Sequence, residues 1–480
     1  MKTVNQTGSL FYIVLVAALG GFLFGFDSGV ISGCEKAIQT EFSLSALWHG
    51  LIVSGALIGT VIGVFGAGAP SDRWGRRPTL WLMGTLFLIS ALGCAFTPTD
   101  AVWGPHILGW MRFIGGLAIG GVSVVVPLYI VEMSPGPLRG RLVATNQLNI
   151  VFGILISYVS NYFVARWMAV EGSWFRDLCC QLANLFAANT MTVDMVRWRV
   201  MLGMECLPIV LFMALLTTIP ESPRWLVRVG RKEQAVAVLT AIGYPEVERT
   251  IVEIRDSLSG VSTGEAARLF QRRYLKPILL AFFIAFFNQV SGINAINYYA
   301  PRIFDLIFGS DSGLASLAGT MGVGTVNLIF TALAFLVIDK FGRRVMIIGG
   351  SALMILMHSL VAWQLSLGDQ CNAVLAVTGI LGFIAFFACS SGAVIWVYIS
   401  EVFPNAVRAK GQALGCFTHW FMCTIISWAF PVVAERAGTW AFAFFAFMML
   451  VQLLWAVFFM PETKGGTIED IERRLGLSDK

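Results

Sequence analysis

Twelve runs of apolar residues, each about 20 long, divide the 480-residue chain; a run of that length is what an α-helix needs to cross a bilayer. They fall near Leu10–Gly33, Gly50–Gly68, Thr79–Phe96, Ile107–Ile130, Leu142–Val164 and Val200–Ile219, then Pro277–Phe304, Leu317–Ile338, Val345–Leu367, Val374–Ser400, Ala413–Val433 and Trp440–Met460. Charged residues make up only 13% of the chain, about half of what a soluble chain carries, and mean hydropathy is +0.76. A water-soluble multidomain protein, a disordered chain and a disulfide scaffold are excluded. A transmembrane barrel is excluded too, because its strands alternate apolar with polar. Lys2 before the first run suggests a secretion signal, but the run is too long and has no small-residue cleavage site, so it is read as a span.

The basic residues then set the topology. If both termini share one side, that side holds twenty-five of the 33 Lys and Arg residues, the other side seven, and Arg112 lies within a span. Both termini are therefore expected in the cytoplasm. The net charge of +5 is a loop signal, not a nucleic-acid signal.

The loops are written twice. Ser71-Asp72-Arg73-Trp74-Gly75-Arg76-Arg77 recurs as Ile338-Asp339-Lys340-Phe341-Gly342-Arg343-Arg344. Glu132-Met133-Ser134-Pro135 with Arg139 recurs as Glu401-Val402-Phe403-Pro404 with Arg408, and Pro220-Glu221-Ser222 recurs as Pro461-Glu462-Thr463. The reading is an all-α integral membrane protein: twelve transmembrane helices in two pseudo-symmetric six-helix bundles. A site between the bundles near the midplane follows. The expected divisions are a first bundle over 1–220, a cytoplasmic helical linker over 221–275, a second bundle over 276–463 and a tail over 464–480. The extra residues of the first half fall in the outward loop near Arg166–Arg199.

These repeats resemble the major facilitator superfamily. Gly75-Arg76-Arg77, Pro220-Glu221-Ser222-Pro223-Arg224-Trp225, Gln289-Val290-Ser291-Gly292-Ile293-Asn294 and Pro461-Glu462-Thr463-Lys464-Gly465 narrow the resemblance to its sugar porters. In pattern the chain is similar to the bacterial proton-coupled xylose and glucose symporters. The resemblance implies the major facilitator fold, a bacterial inner membrane, and import of a monosaccharide with a proton by alternating access.

A monosaccharide in a dry cavity needs amides that donate and accept, and aromatic rings to cover its C–H faces. The sequence supplies Asn146 and Gln147 on span five, Asn288, Gln289, Asn294 and Tyr298 on span seven, Asn327 on span eight, Trp396 on span ten and Trp420 on span eleven. By resemblance, Gln147, Gln289, Asn294, Asn327 and Trp396 fall on sugar-binding positions, and Phe24 joins them as an aromatic candidate. Gly292 predicts an irregular helix; on a regular one Gln289 and Asn294, five apart, would not share a face. The bland reading of any one amide is interhelical glue. Three departures from the family stand out: Asn288 where a glutamine is common, His419 where relatives carry an amide, and Ser391-Gly392-Ala393 where the proline of span ten is usual.

Asp27 within span one, Arg112 on span four and Glu205 on span six are intramembrane ionisable groups, functional by default. The resemblance makes them the proton switch, with Asp27 the acceptor; a static ion pair is the bland alternative. Asp72, Arg73, Arg76, Arg77, Glu132, Arg139, Glu221 and Arg224, and their counterparts Asp339, Arg343, Arg344, Glu401, Arg408 and Glu462, are expected to form a ring of interhelical salt bridges that latches the cytoplasmic side. Most of the nine cysteines lie within spans, and Cys179-Cys180 is read as the one exposed outward position. No cofactor, metal site, catalytic constellation or obligate protein partner is expected; the expected partners are sugar, proton and lipid bilayer. A facilitative uniporter and a non-transporting sugar receptor remain as alternatives.

Overall fold

The computed structural model describes residues 6–135, 138–186, 191–259, 269–309, 313–404, 407–465, 473 and 475. Twelve helical segments are long and apolar enough to cross a membrane: Leu10–Gly33, Ala46–Gly66, Arg76–Ala95, Trp103–Met133, Arg139–Ala169, Val193–Leu216, Arg272–Phe308, Gly313–Ile338, Arg343–Ser366, Ala373–Glu401, Lys410–Glu435 and Trp440–Phe458. They match the twelve apolar runs in order, and several extend past the apolar stretch into charged first turns. The chain is a multi-pass membrane protein. Span one packs on span five and span two on span four; in the second half, spans seven and nine both pack on the continuous helix Arg408–Phe458 that carries spans eleven and twelve. The halves meet where span two crosses span eleven and span five crosses span eight.

Backbone proximity explains the pairing of spans one and five. Gly21, Gly25, Gly29 and Gly33 recur every fourth residue down one face of span one, and a β-carbon at any of them would collide with Asn146, Ile150, Ser157 or Asn161 of span five. Small residues at that spacing let two helices close in lipid, where water exclusion offers no drive between them.

Three spans are broken. Span six is interrupted between Val193–Gly203 and Cys206–Leu216, since Pro208 has no N–H for the carbonyl four residues back. Span seven breaks, as its glycine predicts, between Leu275–Val290 and Ile293–Phe308, with Gly292 at φ +87°. Span ten breaks at Ser390 (φ −123°, ψ −94°) between Ala373–Cys389 and Ser391–Glu401, although no proline stands there. Side chains from elsewhere replace it: Asn288 donates to the Ser391 carbonyl at 3.0 Å and Gln452 to the Ser391 hydroxyl at 3.0 Å.

The linker contains helices Pro223–Arg228, Lys232–Ala241 and Val247–Ser259. The extra outward residues of the first half contain the amphipathic helix Trp174–Phe186. It carries Cys179 and Cys180, and all nine cysteines are free. Cys371 follows span nine, so by the count of spans it lies on the same side as that helix. The outward position is therefore not confined to Cys179-Cys180.

Candidate functional site

A cavity of about 600 Å³ lies between the bundles. Its lining has eight amides, Asn146, Gln147, Asn288, Gln289, Asn294, Asn297, Asn327 and Gln412, with rings that include Phe24, Tyr298, Trp396, His419 and Trp420, and no Asp, Glu, Lys or Arg. Every sugar-site residue expected from the sequence is among them. Asn297 and Gln412 were not expected; Asn297 lies three residues from Asn294, a spacing that would have pointed to it.

The break in span seven joins Gln289 to Asn294. Asn294 Nδ2 donates to Gln289 Oε1 at 2.6 Å, while Gln289 Nε2 donates to Asn288 Oδ1 at 3.1 Å and to a ring nitrogen of His419 at 3.0 Å. Asn288 is thus engaged at both ends, by Ser391 and Gln289, and its main contact is with the neighbouring broken helix. Asn327 accepts from the Thr331 hydroxyl at 3.3 Å. The aromatic floor is continuous: Trp396 to His419 at 4.8 Å, His419 to Trp420 at 5.0 Å, and Trp420 to Phe24 of the other bundle at 5.5 Å between ring centres. His358 supports the break from behind, its Nε2 2.9 Å from the Ser291 carbonyl.

Beside the cavity, Arg112 Nη1 donates to Asp27 Oδ1 at 2.7 Å, and both side chains are buried. Glu205, in the break of span six, shares this buried cluster with Asp27 and Arg112. With both carboxylates ionised neither has a proton to give, and Asp27 Oδ2 and Glu205 Oε1 find no donor. Two carboxylates on one guanidinium leave a buried net charge of −1, which one proton neutralises. Tyr298 of the second bundle and Ser28, next to Asp27, both line the cavity.

The charges expected on the cytoplasmic side are arranged differently from the expected ring. Arg76 pairs with Glu132 at 2.8 Å, and Glu221 accepts the backbone N–H groups of Arg76 and Arg77. Arg343 pairs with Glu401 at 2.9 Å, and Glu462 accepts those of Arg343 and Arg344. The Ser222 and Thr463 hydroxyls donate to Glu132 and Glu401, both at 2.6 Å. Each set ties helices within one bundle, so these pairs rigidify bundles and do not bridge them. Asp72 pairs with Arg228 at 2.7 Å. Arg139 bonds Tyr244, Arg77 bonds the Thr217 carbonyl, Arg344 those of Ala456 and Val457, and Arg408 that of Phe403. Arg73 and Arg224 are exposed, and the side chain of Asp339 lies outside the described residues.

The ion pairs that do cross between bundles are at the opposite end. Arg302 Nη2 meets Glu35 Oε2 at 2.8 Å and Lys36 meets Asp305 at 2.9 Å; Gln39 reaches Glu435 at 3.2 Å. His49 Nε2 lies 3.1 Å from Glu35 Oε2, both fully buried. Sequence reasoning counted Lys36 and Arg302 only as loop charges and did not single out Glu35, Gln39, His49, Asp305 or Glu435. The charge run after span one was their only signal, since a cross-bundle pair has no local pattern. Below them, Tyr158 donates to the Asn297 carbonyl at 2.9 Å. The cavity is sealed at this end and reaches Gly140 and Gln412 beside the basic loops.

The chain is similar to known proteins. The chain is 36% identical to the D-xylose-proton symporter of Escherichia coli, over 98% of this chain and 97% of that one. It is 34% identical to the arabinose-proton symporter of Bacillus subtilis, over 98% and 96%. The xylose transporter of Escherichia coli solved in an inward-open conformation superposes with a TM-score of 0.82 at 33% identity, covering 97% of this chain and 99% of that one. Residues 13–475 match the sugar (and other) transporter family, and the chain belongs to that family.

Proposed function

We propose that the protein imports a neutral monosaccharide of the D-xylose or D-glucose class together with a proton, by alternating access. The carrying observation is the cavity: eight amides and two tryptophans contributed by both bundles, with no ionised side chain in the lining. A polyol exchanges its water shell for such amides, while the absence of a fixed charge disfavours sugar acids and phosphates, whose charge would enter unpaired. Gln147, Gln289, Asn294, Asn297 and Asn327 bind hydroxyls. Trp396, Trp420, Phe24 and Tyr298 cover the ring, and His419 orients Gln289. Asn288 couples the two broken helices of the second bundle.

Asp27 accepts the proton, with Arg112 and Glu205 setting its affinity. Neutralising the cluster removes a buried charge, and Tyr298 carries the change to the sugar site. Any conformation that alters proton affinity is itself shifted by the proton. The bundles, 1–220 and 276–463, rock about the site while 221–275 links them and 464–480 forms the tail. The paired charges of each bundle keep the cytoplasmic ends rigid. With both termini in the cytoplasm of a bacterium's inner membrane, the end closed at Glu35 and Arg302 faces outward, and the state is inward-facing. Relatives named as proton symporters of D-xylose and of arabinose support the same reading.

Uptake of labelled xylose and glucose into proteoliposomes, with and without an inward proton gradient, tests it. Accumulation above the outside concentration that an uncoupler abolishes is expected. Equilibration indifferent to the gradient would leave a facilitator; no uptake of either sugar would overturn the substrate class.

A further inference from the structure

A second cavity, of about 640 Å³, opens at the membrane boundary where span three begins and the linker folds back on it. Its walls include Trp74, Arg77, Trp81, Glu221, Trp225 and Arg231. Arg77 belongs to the first turn of span three and Arg231 to the linker, so two separate elements each present a guanidinium to one space. The neighbouring carboxylates are already engaged. Glu221 accepts the backbone N–H groups of Arg76, Arg77 and Ser222 at 2.7–3.1 Å, and Asp72 is held by Arg228 and Arg76. Arg77 spends one N–H on the Thr217 carbonyl at 2.9 Å. Arg231 lies 6.0 Å from the Trp225 ring centre, a position that keeps its planar fork turned over an apolar floor.

The tryptophans give the place of the cavity. Trp74 is half exposed, Trp81 partly exposed and Trp225 nearly buried, its indole donating to the Asp72 carbonyl at 3.0 Å. Indole rings at this level mark the interface between headgroups and acyl chains. A group that suits the site carries a phosphate for the two guanidiniums, which bind it through parallel N–H donors, and an apolar body to lie along Trp81 and Pro78. A phospholipid of net negative charge has both.

We propose that this cavity binds the headgroup phosphate of an anionic phospholipid, which bridges Arg77 of the first bundle to Arg231 of the linker and pins the linker against span three. Neither the sugar site nor the proton cluster takes part.

The test uses native mass spectrometry of the full chain in detergent, titrated with phosphatidylglycerol or phosphatidylcholine of identical acyl chains. The wild type should bind the anionic lipid at least about tenfold tighter, as two basic contacts at a membrane surface provide. Arg231→Gln should cut that preference roughly fivefold, leaving the share of Arg77, and Arg231→Lys should keep most of it, with sugar binding equal in all three as the measure of folding. Equal binding of the two lipids by the wild type would overturn the proposal. So would an Arg231→Gln variant that keeps the full preference, or full displacement of the lipid by millimolar inorganic phosphate, which would make the ligand a soluble phosphate.

Discussion

Replacing Asp27 by Asn keeps the shape of the side chain and removes the carboxylate that Arg112 meets at 2.7 Å. A buried cation stripped of its partner costs about 3–5 kcal/mol, but Arg112 retains Glu205 in the same cluster. The variant should therefore fold, with the Arg112–Glu205 pair already neutral while Glu205 is ionised, so that the proton whose uptake neutralises the wild-type cluster is no longer needed. One proton per sugar across a gradient of one pH unit supplies about 1.4 kcal/mol, which sustains about a tenfold accumulation. In proteoliposomes under that gradient, the wild type should approach tenfold and Asp27→Asn should stop at equal concentrations while still exchanging sugar. Arg112→Met should behave otherwise: it leaves two buried carboxylates with no cation, and its unfolding midpoint in detergent should fall well below that of Asp27→Asn. If Asp27→Asn still concentrates sugar tenfold, the proton resides elsewhere and the charge argument fails.

Gln289→Ala removes the side chain that joins Asn288, Asn294 and His419; with about 1–3 kcal/mol lost, sugar Kd by calorimetry should rise roughly ten- to a hundredfold, and an unchanged Kd would contradict the assigned site. Gly292→Ala puts a side chain at φ +87° with its β-carbon 2.6–2.9 Å from the Phe445 ring, and a strain of about 1–3 kcal/mol should appear as a lower melting temperature. Arg302→Gln breaks the cross-bundle pair with Glu35; spin-label distances between the outer ends of spans two and eleven should shift toward separation, and an unaltered distribution would refute its role as a seal. The two pseudo-equivalent acids differ. Burial pushes Glu221 up, and its three backbone donors do not offset it. Burial also pushes Glu462 up, but four backbone N–H donors outweigh it and hold it below its ordinary range. Stability from Glu462 is present above its ordinary pKa and lost as pH falls through the lowered value. The contribution of Glu221 is present in acid and lost as pH rises through the raised one. Melting temperatures of Glu462→Gln and Glu221→Gln, taken relative to wild type, should consequently slope oppositely with pH.

Much of this protein was determined by sequence alone, because lipid leaves the backbone few choices. Apolar length set twelve helices, the doubled Gly-Arg-Arg and Pro-Glu motifs set two related halves, and amides at membrane depth marked the cavity, since few other structures tolerate them there. The break at Gly292 was also readable, as glycine is a local signal. The break at Ser390 was not: no proline or left-handed glycine stands at it, and it is held by Asn288 and Gln452 from spans far away in the chain. The same holds for the charges. Conserving sign and spacing, Arg76, Glu132, Arg343 and Glu401 read as a latch, but which partner each one finds depends on where the helix ends converge, and that put them within bundles. The seal formed by Glu35, His49 and Arg302 lay among ordinary loop charges because a contact between residues more than 250 positions apart leaves no periodicity to read. Local patterns choose the elements; which surfaces meet, and hence which end of the cavity is closed, is decided only when the two bundles pack.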